Sequence, residues 1–291
     1  MKVAVALLSV LLVSVTALRC GQRNNYSALS TLTANNSDTY VVGGSEALPH
    51  EFPWQISFQM YYRLSWWQPK KWHHNCGGSI INDQWIVTAA HCYDDHLSLE
   101  NLRIVVGTHD LTRNESAIQT FGINMIINHP EYNMNNVEND IALIKIAGRL
   151  NLDGISAAPI CLPTLSDANT FDRATCVATG WGKTAHGGRF SDVLLKVNLP
   201  VVSNSVCSIL YRNVQNARIT SDKICAGRLD REGFGVCEGD SGGPLACHKN
   251  GEYQLAGVTS FGVFCGSSRY PTVHTRVSTH RTWIDTVLSI Y

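Results

Sequence analysis

The chain has 291 residues, 23 Lys and Arg against 23 Asp and Glu, and 16% charged residues, fewer than the usual quarter or so. A zero formal charge with no long run of either sign argues against a nucleic-acid partner or an acidic tail, and the length allows one large domain or two small ones. Ten cysteines with no Cys-x-x-Cys exclude the zinc-ribbon and thioredoxin signatures and point to disulfides formed in an oxidising compartment.

Met1-Lys2, an apolar run over residues 3–15 and Thr16-Ala17 read as a secretory signal peptide over 1–17. The run is short for a membrane span, and no second run approaches spanning length, so no membrane partner is expected. Residues 18–40 are polar, hold one cysteine, Cys20, and read as a loose pro-segment or tether rather than a domain. From Val41 the character changes. Short apolar or alternating runs at 55–59, 85–88, 102–106, 123–127, 141–146, 175–178, 193–199 and 254–259, separated by turn residues, predict an all-β body. Between the first two runs, residues 61–74 carry three tryptophans and several basic groups and read as a loop, either a recognition surface or, the reading favoured, an insertion whose rings pack on the body. Trp283, Ile284, Val287 and Leu288 at three-to-four spacing predict one amphipathic helix over 278–290. Asn25, Asn35 and Asn114 open Asn-x-Ser glycosylation triplets.

The chemistry concentrates at Gly239-Asp240-Ser241-Gly242-Gly243-Pro244, with Cys237 and Cys247 on either side. Glycines let the chain turn sharply enough to expose the Ser241 hydroxyl and to aim neighbouring N–H groups at one point. A neutral alcohol attacks poorly without a base. Among eleven histidines, His91 stands apart, in Thr-Ala-Ala-His-Cys, where small residues and Cys92 fix its backbone. No His-Glu-x-x-His occurs, so no metal is expected. An imidazole acting as base needs an orienting acceptor. Asp140, entering the apolar run Ile-Ala-Leu, is the candidate, and a buried carboxylate there would need a partner.

His91, Asp140 and Ser241 in these motifs and in this order resemble the trypsin/chymotrypsin family of secreted serine endopeptidases, over about residues 41–291. The resemblance implies two six-stranded antiparallel β-barrels with the active site in the cleft between them and a C-terminal α-helix. It implies the pairs Cys76–Cys92, Cys176–Cys247, Cys207–Cys225 and Cys237–Cys265, with Cys20–Cys161 tethering the pro-segment. It also implies an oxyanion hole from the N–H groups of Gly239 and Ser241. Ser260 would support Asp140, and Ser260, Phe261 and Gly262 would pair with substrate. Cleavage before Val41 would create an ammonium that pairs with Asp240. Tyr40, rather than Lys or Arg, precedes that bond, which predicts a chymotrypsin-like activator or the protein itself.

In that family the position six before the nucleophile sets charge preference. Here it is Gly235, followed by Val236, with Thr272 at the base, Gly262 leaving a wall open and Glu238 near the mouth. The implied pocket is apolar. Residues 257–261 and Pro-Thr-Val-x-Thr-Arg-Val-Ser are most similar to pancreatic elastases, which implies cleavage after medium apolar residues. Aromatic preference, as in chymotrypsins, and a non-catalytic homologue that binds partners are the alternatives. The stretch 108–115 lacks an acid at its start, so no calcium is expected, nor any other cofactor. The expected partners are protein or peptide substrates, protein protease inhibitors and the activating protease, with the enzyme a monomer.

Overall fold

The computed structural model describes residues 19–24, 43–167 and 170–291. The expected signal peptide, Val41, Asn25, Asn35 and most of the pro-segment lie outside them.

The strands in chain order are β1 Ser45–Glu46, β2 Gln55–Tyr62, β3 Lys71–Ile80, β4 Trp85–Thr88, β5 Leu102–Val106, β6 Gln119–Phe121, β7 Ile123–Asn128 and β8 Ala142–Ile146. After the crossing come β9 Thr175–Gly180, β10 Leu195–Val202, the helix α1 Asn204–Tyr211, β11 Lys223–Ala226, β12 Pro244–Lys249, β13 Glu252–Phe261, β14 Thr272–Arg276 and the helix α2 Arg281–Ile290. Every strand pairing is antiparallel.

Two barrel-like sheets result. The first has seven strands in the order β6-β5-β2-β3-β4-β8-β7. Its two ends are consecutive pieces of chain parted by Gly122: β6 pairs with β5 and β7 with β8, so one bent segment nearly closes the sheet. The second runs β1-β10-β11-β14-β13-β12-β9, and β9 returns to pair with β10, closing a six-stranded barrel to which β1 is added. The chain is thus all-β, as expected, with a seventh strand on each sheet that the expectation of six did not include.

Burial explains the patterning. β10 alternates buried and more exposed residues, as a strand with one wet face should. β4, Trp-Ile-Val-Thr, is buried throughout. Ile56, Phe58, Ile86, Ile104 and Leu143 are fully buried in the first core, each stabilising by roughly 1.5–3 kcal/mol. Leu199, Ile224 and Leu245 do the same in the second.

The C-terminal helix follows the second barrel but packs on the first barrel's core through Ile284 and Val287. Arg281 Nη1 donates to the carbonyls of Leu162 and Pro163. Its predicted first turn is a 3-10 segment, Val277–His280, before the α-helix begins. α1 was not legible in the sequence; its eight residues are too few for a clear period, and its cap is the Ser203 hydroxyl accepting from Val206 N.

Two further expectations change. Residues 61–74 are not a free loop. Tyr61 and Tyr62 end β2, residues 71–74 begin β3, and Tyr61 pairs with Trp72 and Tyr62 with Lys71. Residues 19–24 are not loose: Cys20 is bonded to Cys161, Gly21 N–H donates to the Pro159 carbonyl at 2.8 Å, and Arg23 pairs with buried Glu51.

The turn before Asp140 is held by an unusual group. Val137 and Asn139 adopt φ of +53° and +52°, a region a β-branched residue rarely visits. Lys223, fully buried at the start of β11, donates through Nζ to the Val137 carbonyl and lies 3.1 Å from Asp222. Asp222 Oδ2 in turn accepts from Asn139 N at 3.2 Å. Lys223→Met should therefore lower stability by about 3 kcal/mol, because it leaves Asp222 without its cation and Val137 without its donor. Guanidinium unfolding reads this directly, and an unchanged midpoint would show that the pair holds nothing.

Candidate active site

His91 lies in a 3-10 turn, Ala90–Cys92, directly after β4 and disulfide-bonded through Cys92 to Cys76 on β3. Asp140 lies just before β8 and is fully buried. Oδ1 accepts from the His91 backbone N–H at 2.9 Å; Oδ2 accepts from His91 Nδ1 at 2.8 Å and from Ser260 Oγ at 2.5 Å. Ser260 reaches inward because it is the extra residue of a bulge: Thr259 pairs with His274 and Phe261 with Val273. Thr275 Oγ1 holds the Asp140 carbonyl at 2.8 Å. Burial alone would raise the Asp140 pKa, but the bonds and charge of His91 and the Ser260 bond outweigh it, and the pKa lies below the usual carboxylate value. His91 moves the other way. Burial opposes its cation, the bond and charge of Asp140 more than compensate, and its pKa is raised above 6.5. Its side chain remains 30% exposed, open to the cleft.

Ser241 comes from the turn between residues 237 and 243 and is brought to the first barrel by its own carbonyl, which accepts from Gly77 N–H at 2.7 Å. Among the described residues no hydrogen bond joins Ser241 Oγ to His91 Nε2, which faces Cys92 Sγ at 4.0 Å. The N–H groups of Gly239 and Ser241 also have no partner among the described residues. The direction of the Gly239 N–H is set by its neighbour. The Glu238 carbonyl accepts from Lys183 N–H at 2.8 Å, so across the planar trans peptide the Gly239 N–H points the opposite way. The Gly239 carbonyl accepts from His74 Nε2 at 2.8 Å, and Ser57 Oγ meets His74 Nδ1 at 2.8 Å. Burial pushes the His74 pKa down to about 4, so the ring is neutral, with its proton on Nε2 to serve Gly239. Gly239 has φ +93°, and a Cβ there would come within 2.5 Å of Phe190. His74 was missed in the sequence, where one of eleven histidines carries no distinguishing signal.

Asp240 points away from the cleft into a glycine cradle. Its Oδ1 accepts from Gly182 N and its Oδ2 from Cys237 N, each at 2.8 Å. A Cβ on Gly180 would lie 2.1 Å from its oxygen and one on Gly182 2.5 Å, so neither position admits a side chain. Gly43, two residues after Val41, packs against Gly233 and Phe234.

Beside Ser241 opens a cavity of about 170 Å³ lined by Val236, Phe261, Gly262, Phe264 and Thr272 among others. A Cβ on Gly262 would meet only the Phe264 carbonyl, at 4.0 Å, so that wall is open. Gly235, expected to form the pocket floor, is not among the lining residues; it is packed behind, where a Cβ would lie 2.9 Å from Gly266 Cα and 3.8 Å from Thr272 Oγ1. Val236 and Thr272 take its place. Glu238 lines the mouth, but it is ion-paired with Lys183, whose hydrogen bond and charge hold its pKa below the usual value. His186 and Phe264, 5.9 Å apart at their ring centres, are lining residues the sequence did not reveal.

The ten cysteines form Cys20–Cys161, Cys76–Cys92, Cys176–Cys247, Cys207–Cys225 and Cys237–Cys265, a pairing that spacing alone left open. Among the described residues, the groupings nearest to a metal set are Cys76/His91/Cys92 and Cys20/Cys161/Glu252, whose sulfurs are already joined, and the exposed Asp94/Asp95/His96. Asn114 is exposed.

Comparison with known proteins gives a consistent result. Residues 41–284 match the family model described as Trypsin. The chain is 37% identical to chymotrypsin-like elastase family member 1 of Canis lupus familiaris, over 89% of this chain and 96% of that protein. It is 38% identical to the Felis catus protein of the same name, over 89% and 94%. It is 39% identical to trypsin-1 of Astacus astacus, over 84% and 98%.

Burial raises the Asp240 pKa from 3.8 to about 6, although the N–H groups of Cys237 and Gly182 pull it down. A carboxyl whose folded pKa exceeds its unfolded one keeps its proton longer in the folded state. Its contribution is therefore largest in acid and is lost as pH rises from roughly 4 to 6, a change of about 3 kcal/mol. The uncleaved chain should show this slope in denaturant unfolding across that window, and Asp240→Asn should lack it; parallel pH profiles would refute the assignment.

Proposed function

This chain belongs to the trypsin family of serine proteases, and from that premise we propose that it is a secreted endopeptidase, made as a zymogen, that works through an acyl-enzyme on Ser241. The observation that carries the reading is the fully buried Asp140, which spends its oxygens on His91 and Ser260 beside the Ser241 turn. With substrate in the cleft, Ser241 Oγ attacks the scissile carbonyl carbon as His91 Nε2 takes its proton, a contact that often closes only in the complex. Asp140 keeps the His91 proton on Nδ1 and stabilises the imidazolium. The carbonyl oxygen, now carrying the charge, accepts from Gly239 and Ser241 N–H, each donor contributing about 3 kcal/mol. His91 gives its proton to the leaving amine. Water then attacks the acyl carbon with His91 again as base, and Ser241 is released. Ser260, Phe261 and Gly262 offer a backbone edge to the substrate strand.

Activation follows from Asp240. Cleavage between Tyr40 and Val41 frees an ammonium whose charge meets Asp240, a buried carboxylate with no cation partner among the described residues, and the packing of Gly43 against Gly233 and Phe234 supports that approach. Five disulfides support an oxidising, extracellular setting.

The pocket favours uncharged apolar side chains. Among the described residues no unpaired acid lines it, since Glu238 is taken by Lys183. Medium aliphatic residues such as Leu and Met fit above Val236 and Thr272. A second reading, aromatic residues, is favoured by the volume: about 170 Å³ exceeds the roughly 150 Å³ that admits a benzene ring.

In protein processed to begin at Val41, a fluorophosphonate should label Ser241, and Ser241→Ala or Asp140→Asn should lower kcat by about 10⁴-fold or more, the scale on which such groups act in this chemistry. Activity requires neutral His91, so kcat/KM should fall as pH drops through a midpoint above 6.5. No labelling and no hydrolysis by correctly processed protein would favour a non-catalytic binding homologue. A peptide library varied before the scissile bond should show Leu, Met and ring residues preferred over Lys and Arg by at least about 100-fold; a preference for Lys or Arg would overturn the pocket assignment.

A further inference from the structure

The hairpin of β2 and β3 is built unlike the rest of the surface. Its last cross-strand pair is Tyr62 with Lys71, so residues 63–70 project beyond the sheet. At the tip, Leu64, Trp66 and Trp67 are 66%, 81% and 67% exposed. The two indoles touch only edge to face, 5.6 Å between centres, rather than packing on the body as the sequence reading expected. Behind them Arg63, Lys70 and Lys71 form an exposed collar, and residues 61–74 contain no acid. The stem below is stiffened by Tyr61 against Trp72 at 5.1 Å and by Arg103 over Trp72 at 4.3 Å. Gln68 N donates to the Ser65 carbonyl at 3.0 Å and shapes the tip.

A convex apolar tip, then cations, then a rigid aromatic stem is a graded arrangement. It suits a flat partner whose interior is apolar and whose surface is negative. Indoles settle at the boundary between acyl chains and headgroups, and Lys or Arg one step back meets the headgroup charge. We propose that this hairpin docks the protein onto anionic phospholipid bilayers, with Leu64, Trp66 and Trp67 in the interface and Arg63, Lys70 and Lys71 on the headgroups. The expectation of no membrane partner rested on apolar runs of spanning length, which a hairpin lying at the interface does not need. The proposal is independent of the catalytic reading.

The test uses the full chain carrying Ser241→Ala, to prevent self-digestion, and co-sedimentation with vesicles of phosphatidylcholine alone or with phosphatidylserine added. The protein should sediment with the anionic vesicles at low salt and be released at high salt. Trp66→Ser/Trp67→Ser should abolish sedimentation while leaving thermal unfolding unchanged. Lys70→Glu/Lys71→Glu should weaken it by at least about fivefold per cation lost. Brominated acyl chains should quench tryptophan emission of the chain with its hairpin intact, which tests the contact even if the double serine variant fails to fold. Absence of binding to anionic vesicles, equal binding by the folded Trp66→Ser/Trp67→Ser variant, or no quenching would each overturn the proposal. So would the hairpin substitutions, introduced with Ser241 intact, raising KM for an acidic polypeptide without lipid while vesicle binding is absent; the surface would then serve a protein partner.

Discussion

A carboxylate with no access to solvent is expensive unless it is fully hydrogen-bonded and paired, and Asp140 shows how this fold meets that demand. Its partners come from both halves of the molecule: His91 from the first barrel, Ser260 and Thr275 from the second. Satisfying one charge therefore fixes the relation between the barrels at the cleft. The same bonds set the His91 tautomer and raise its basicity. The bulge in β13 exists at the one residue whose side chain must turn inward, and the positive φ values at Val137 and Asn139 are held from beneath by Lys223 and Asp222.

Asp240 is the counterpart. It also is buried, but among the described residues only two backbone N–H groups meet it, and its pKa rises where that of Asp140 falls. The pKa values of two aspartates in one site thus move in opposite directions because one has an imidazole opposite it and, among the described residues, the other has none. In the activation proposed above, a new ammonium would relieve that incomplete compensation. The turn it belongs to is held from outside by Lys183, whose N–H bond to the Glu238 carbonyl aims the Gly239 N–H, and by His74, which holds the Gly239 carbonyl.

The pocket and the hairpin depend on what neighbouring segments do to exposed groups. Glu238 would be an unpaired negative charge at the mouth if Lys183 did not reach it, and the ion pair changes the character of the rim without changing the residue. Trp66 and Trp67 could have folded back on the barrel, but the pairing of Tyr61 with Trp72 carries the chain outward before they occur.

Much of this was legible in the sequence, and for a physical reason. Short apolar or alternating runs encode strands locally, and the runs at 85–88 and 102–106 coincide with β4 and β5. The glycines around Ser241 and the small residues before His91 encode the turns that carry them, so those motifs declare themselves without tertiary information. What only the tertiary structure decided were contacts between residues far apart in the chain. The ring of His74 gains its role from Gly239, 165 positions away, and buried Lys223 from Val137, 86 positions away. The floor of the pocket passed from Gly235 to Val236 and Thr272 because Gly266 backs against Gly235. The sequence by itself determined which chemical groups stand on which turns; the fold decided which of them meet, because desolvation, pairing and open volume are properties of the space between segments.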